Sequence, residues 1–147
     1  MSLLFPELDV KETLKNVSDF LTNDLERLLL MSGRNLTDLK SPQLSFAPSH
    51  STGNNVNEDN LIRGLDAGAM VDAVNDTIHH CTPVSELILI ELFIKHKSWI
   101  QVQPMVYSEH TKFSQLRKRA LLEFADSFDK WQRFHNCKPI IDLHAYE

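Results

Sequence analysis

The chain has 147 residues, of which 42% are apolar and 24% charged, with a formal net charge of −5. That suits one ordinary domain, or a small domain with appendages. Two cysteines, Cys81 and Cys137, are too few and too far apart for a disulfide scaffold. No run approaches the roughly 18–20 apolar residues of a membrane helix, and the opening "MSLLFPELDV" lacks the features of a signal peptide, so a reducing cytoplasm is expected and a membrane partner is not.

Residues Asp9 to Ser32 predict the first helix. Leu14, Val17, Leu21, Leu25 and Leu28 recur every three or four residues, and Gly33 stands where a glycine would stop it. So narrow a stripe suits packing within the chain or pairing with a second copy, and its spacing does not separate the two. From Arg34 to Asn60 the pattern collapses into wording such as "SPQLSFAPSHSTGNNVNEDN", as in an extended linker. Helical order resumes over Leu61 to His80, with Leu65, Met70, Val71, Val74 and Ile78 as buried positions.

Pro83 suits the first turn of the next helix, where its missing N–H costs little. That helix, "SELILIELFIKHK", is apolar on almost every side and should be central to the core. In "SWIQVQPMV", Ser98 is expected to cap a short helix anchored by Trp99, Ile100 and Val102, and Pro104 forbids a long straight one. A long helix is predicted over Tyr107 to Phe128, and "QRFHNCKPIIDLHAYE" reads as a tail. The expected fold class is all-α.

Charge is distributed unevenly. Residues 1–94 hold 6 Lys/Arg against 14 Asp/Glu, whereas residues 95–138 hold 9 against 4. An acidic whole with one basic segment points to a localised anion-binding surface. Turning the long helix by about 100° per residue from Phe113 brings Leu116, Arg117, Ala120, Leu121 and Phe124 to one side. The other side carries Thr111, Gln115, Lys118 and Leu122, flanked by Lys112, Ser114 and Arg119. One face would therefore grip a core while the first two turns of the other present hydroxyl, amide and cationic groups.

That pattern fits the second helix of a helix-turn-helix, whose leading turns enter the major groove of duplex DNA. Gln can pair there with adenine, Arg or Lys with guanine, and Thr can touch a thymine methyl. The expected DNA-binding residues are His110, Thr111, Lys112, Ser114, Gln115, Lys118 and Arg119, with Lys95 and Lys97 (and Lys130 beside them) on phosphates. The order of apolar helix, short helix and basic amphipathic helix agrees with this.

The chain resembles the ArpU family of phage-encoded transcriptional regulators. The likeness rests on "LFPELDVKETLKNVSDFL", on "GRNLTDLKSPQLS" followed by "STGNNVNED", and on "FSQLRKRALLEFADSFD", and it spans roughly residues 3 to 130. The resemblance implies a DNA-binding regulator of late phage or prophage genes, in a bacterial host cytoplasm. Its C-terminal part would be similar to region 4 of sigma factors. It also implies that Val102 and Val106 are apolar positions of the short helix, that Phe113, Leu116, Ala120 and Leu121 are core positions of the recognition helix, and that His110 to Arg119 face DNA. The sequence departs from the family pattern at Tyr107, where a turn glycine is usual, at Glu109, where a capping serine is usual, and at Pro104. The implied layout is an N-terminal helix over 1–33, a linker over 34–60, a helix-turn-helix DNA-binding domain over 61–131 and a tail over 132–147. Partners would be double-stranded DNA, host RNA polymerase and a second copy in a homodimer.

His79, His80, Cys81, His135 and Cys137 lack the paired spacings of a zinc site, so no metal or other cofactor is expected. No phosphate-binding glycine loop, nucleophile elbow or H-E-x-x-H stands in the chain, so no enzyme is expected. The rival reading is a helical protein–protein adaptor that acts on the transcription machinery without touching DNA.

Overall fold

The computed structural model describes residues 4–34, 66–106 and 110–147, with residues 110 and 111 described by backbone alone. The described residues are helical and form no sheet; Leu8 and Tyr146 make an isolated antiparallel bridge. The predicted linker, Leu65 and the segment 107–109 lie outside the described residues.

Asp9 starts α1 (Val10–Asp19) by accepting the Glu12 N–H at 3.0 Å, filling one of the donors a helix start leaves unpaired. The helix passes through a π turn (Phe20–Asp24), in which the Leu25 N–H reaches back to the Phe20 carbonyl, and continues as α2 (Leu25–Ser32). Gly33 ends it at φ 76°, a left-handed conformation that glycine adopts without the Cβ clash. Val17, Leu21, Leu25 and Leu28 are buried in this chain's own core, so the leucine stripe packs internally and is not available to zip onto a second copy.

Asp66 caps α3 (Ala67–His79) by accepting the Ala69 N–H at 3.1 Å. Pro83 opens α4 (Pro83–Ile88), which runs into a second π turn (Leu89–Ile94) closed by the Lys95 N–H on the Ile90 carbonyl at 2.8 Å. His96 then takes φ 57° and turns the chain toward Ser98. Ser98 and Gln101 form a reciprocal capping box at the start of α5 (Trp99–Val102), as expected of the serine. A 3₁₀ turn (Gln103–Val106) containing Pro104 follows. The last helix, α6 (His110–Phe134), continues six residues past the predicted end at Phe128.

Helix α6 is the axis of the molecule, with α1, α3 and α4 packed around it and α2 packed on α3. Phe20 meets Phe128 at a ring separation of 5.2 Å, and Phe124 meets Phe128 at 4.9 Å, so an aromatic cluster ties the N-terminal helix to α6. The apolar segment "SELILIELFIKHK" is central as expected, with Ile88, Leu89, Phe93 and Ile94 buried. The expected anchors of the short helix need correction. Val102 is fully buried, but Trp99 is 45% exposed and Ile100 65% exposed. A helix of one turn has room to bury one side chain, and the neighbours select Val102.

The last residues form an ordered strap. Asn136 at φ 57° turns the chain out of α6, and the strap returns alongside α1. The Asp9 N–H donates to the Ala145 carbonyl, the Ala145 N–H donates to the buried Thr13 hydroxyl, and the Asn16 amide donates to the Leu143 carbonyl. Gln132, fully buried, donates to the Ile141 carbonyl and accepts the Ile141 N–H, both at 2.8 Å. Replacing Gln132 with Ala should leave both Ile141 groups without that partner and cost about 1–3 kcal/mol. Urea denaturation checks it, and an unchanged midpoint would show that the Gln132–Ile141 pair adds nothing to stability.

Candidate nucleic-acid interface

The first three turns of α6 divide as the periodicity requires. Phe113, Ala120 and Leu121 are buried, whereas Lys112, Gln115, Lys118 and Arg119 are exposed and Ser114 is half-buried. Leu116 is only partly buried, at the edge of the core. The structure therefore leaves four of the seven expected DNA-binding residues, Lys112, Gln115, Lys118 and Arg119, exposed on one stretch of helix, with Ser114 half-buried among them. The side chains of His110 and Thr111 lie outside the described ones.

Arg117 takes a different course. Its guanidinium lies 5.7 Å from the centre of the Phe93 ring, a cation–π contact that fastens α6 to the second π turn. A basic residue on the core side of a helix can snorkel in this way, its stem packed and its charge at the edge.

The expected phosphate contacts are already engaged. Lys95 Nζ lies 2.8 Å from one Glu91 oxygen and Lys97 Nζ 2.7 Å from the other. The Lys97 ammonium is in ion contact with Glu91 Oε1 but out of line for a hydrogen bond. Burial acts to raise the Glu91 carboxyl, and the two ammonium groups more than offset it, holding the group below its ordinary range. Two cations around one nearly buried carboxylate leave a net positive charge at the turn that leads into α5. Lys130 lies 4.9 Å from the Trp131 ring, well along α6 from the exposed cationic end.

Sequence reasoning gave Glu123 no role. It accepts the Thr82 N–H at 3.0 Å, the Thr82 hydroxyl, the Ser85 hydroxyl at 2.8 Å and Arg119 Nε at 3.1 Å. A side chain of α6 thus caps the start of α4 from 41 residues away, and the same carboxylate holds one of the exposed arginines. Burial pushes the Glu123 carboxyl up, but the Thr82, Ser85 and Arg119 contacts outweigh that and leave it below the usual carboxylate range. The Arg119–Glu123 spacing of four was visible in the sequence as a helix pair; the capping partner was not.

His79 contacts Glu86 at 2.6 Å and His135 contacts Asp76 at 2.5 Å, so both are tied to carboxylates. Cys81 donates to the Thr77 carbonyl, and burial pushes its thiol up to about 12. Among the described residues no group of three or more His, Cys, Asp or Glu is arranged to hold a metal ion, and no helix is long and apolar enough to cross a membrane.

No protein-family model matches the chain. No solved structure matches it either. The chain is similar to an Enterococcus hirae protein described as "Putative autolysin regulatory protein ArpU", at 32% identity over 128 residues covering 85% of this chain and 92% of the relative.

Proposed function

The chain belongs to the ArpU family, and from that premise we propose that it is a sequence-specific DNA-binding transcriptional regulator, an activator of late phage or prophage genes in the host cytoplasm. The observation that carries the reading is the division of α6. Phe113 seats one face in the core, and Lys112, Gln115, Lys118 and Arg119 stand exposed on the other. The order of α4, the short α5 and a long basic helix supports a helix-turn-helix like that of sigma region 4. The regulatory name of the relative supports a regulatory role.

In this reading Gln115 and Arg119 read base edges, with Lys112 and Lys118 on bases or phosphates and Ser114 in support. His110 and Thr111 occupy the leading turn. The lysine pair around Glu91 contributes a field near the phosphates rather than two independent contacts. Host RNA polymerase and a second copy of the chain are the expected further partners.

The test is binding to a duplex carrying the regulated promoter, and to random duplex, over a salt series. Affinity should fall steeply with salt, with a log–log slope of about −0.9 for each phosphate contacted. Gln115→Ala or Arg119→Ala should cost about 1–3 kcal/mol at one base pair and relax specificity there. Binding of every site as by the parent chain would sink the assignment.

One observation favours the adaptor reading. Trp99, Ile100 and Met105, which is 39% exposed, place large apolar groups on the surface within seven residues, as a protein-binding patch would. An adaptor would ignore duplex DNA and bind its protein partner almost independently of salt.

A further inference from the structure

The His144 ring of the strap is held between two carboxylates. Its Nε2 lies 2.7 Å from Asp126 Oδ1 on α6, and its Nδ1 lies 2.6 Å from Asp142 Oδ1 on the strap itself. An ionised carboxylate only accepts hydrogen bonds, and a neutral imidazole carries a single N–H. One carboxylate, such as the Asp76 that His135 meets, is satisfied by a neutral tautomer. Two carboxylates on opposite nitrogens are not, because only the imidazolium can donate to both. The His144 side chain is 19% exposed, so water has little room to stand in for either partner.

We infer that His144 is a pH-operated clasp, which as imidazolium ties the end of the strap to α6 and on losing a proton lets residues 144–147 lift from the start of α1. Asp142 stays beside the ring wherever the strap goes. It lies two residues away and also accepts the His144 backbone N–H at 3.0 Å and the Tyr146 hydroxyl at 3.2 Å. The neutral ring therefore keeps its Nδ1–H for Asp142 and turns a bare Nε2 lone pair toward Asp126. The link that breaks is the one to α6. Beyond it the strap end is held by the Asp9 N–H on the Ala145 carbonyl, the Ala145 N–H on the Thr13 hydroxyl and the Glu147 N–H on the Glu7 carbonyl. The earlier part stays in place, because Leu143 is buried and Gln132 holds both backbone groups of Ile141.

Among the described residues, the charges facing the ring are the two carboxylates, and both favour the closed form. Further along α6, Asp129 is paired with Arg133 and Lys130 lies over the Trp131 ring. From α1 the strap meets the Thr13 hydroxyl, the Asn16 amide and Asp9, whose carboxylate caps the helix. Partial burial acts to lower the His144 pKa, and the hydrogen bonds to Asp126 and Asp142 outweigh it, leaving the ring above its ordinary value. The clasp is therefore fully closed below the unfolded histidine value of about 6.5 and opens as pH rises through the higher folded value.

The experiment follows the His144 ring nitrogens and the backbone amides of the full chain by NMR from about pH 5 to about pH 9. The ring should titrate with a midpoint above that of free histidine, passing from imidazolium to the Nδ1–H tautomer. Across the same midpoint the protection factors of the Asp9, Ala145 and Glu147 amides against hydrogen exchange should fall at least tenfold, while that of Ile141 holds. Asp126→Asn, at an exposed position that leaves the core alone, should lower the midpoint. His144→Gln should abolish the step in protection. A midpoint at or below that of free histidine, or one unmoved by Asp126→Asn, overturns the two-carboxylate clasp. Protection that does not change across the midpoint, or a step that persists in His144→Gln, overturns the opening. Simultaneous loss at Ile141 overturns its confinement to the strap end. No arm needs DNA, so the outcome is independent of the proposed function.

Discussion

Phe113→Ala is expected to lower stability by about 3–5 kcal/mol. The ring is 2% exposed and stands in the first turn of α6, where it is the leading member of the buried row that continues through Ala120, Leu121 and Phe124. Removing it leaves a cavity at the end of a helix, and α6 can fray there more readily than in its middle. For a chain of this size that loss is a fall of about 10–15 °C in melting temperature. DNA binding should be lost even at a temperature where most molecules remain folded, because Lys112 and Gln115 flank Phe113 on the same turn and depend on its anchorage. Leu116→Ala should cost clearly less, since Leu116 is only partly buried. A melting temperature unchanged by Phe113→Ala would show that the buried face of α6 is drawn wrongly.

How far the fold could be read depended on how many turns a pattern had in which to repeat. In α6 the apolar positions recur over several turns, so Phe113, Ala120, Leu121 and Phe124 were placed correctly and the exposed cationic side followed from them. Gly33 and Ser98 were legible because each works through its own backbone or a partner three residues away. Trp99 and Ile100 were misjudged because a single turn offers no repeat, and hydrophobicity alone does not say which side the neighbours will cover. The π turns left no trace in spacing. Whether a helix takes one extra residue into a turn depends on contacts distant in the sequence, and the first π turn is where Phe20 packs against Phe124 and Phe128. The strap was hidden for the same reason: buried Gln132 and Thr13 hold it by hydrogen bonds, and a polar residue in a tail carries no periodic signal. On the candidate site, sequence supplied the side chains but not their engagements. That Lys95 and Lys97 close on Glu91, and that Arg119 shares Glu123 with the start of α4, are properties of the packed state.

Glu123→Ala is expected to have two effects of opposite sign. The carboxylate receives the Thr82 N–H, the Thr82 and Ser85 hydroxyls and the Arg119 guanidinium. Its removal should destabilise the α4–α6 contact by about 1.5–3 kcal/mol at neutral pH. Because its pKa is depressed in the folded chain, this stabilisation is fully present above the unfolded carboxylate value of about 4.3 and is lost as pH falls through the lower folded value. The difference between parent and variant should therefore be large at pH 7 and close as pH is taken below 4, which denaturation at both pH values measures directly. A gap that persists in acid would mean that the contribution is packing rather than charge. On DNA, the same substitution deletes a negative charge beside the exposed helix face and frees Arg119 from its tether. Under conditions where the variant is folded, duplex affinity should rise severalfold at low salt, and the rise should shrink as salt is added. A merely structural Glu123 would weaken stability and binding together, so the separation of the two signs is what ties this side chain to the proposed DNA-facing end of α6.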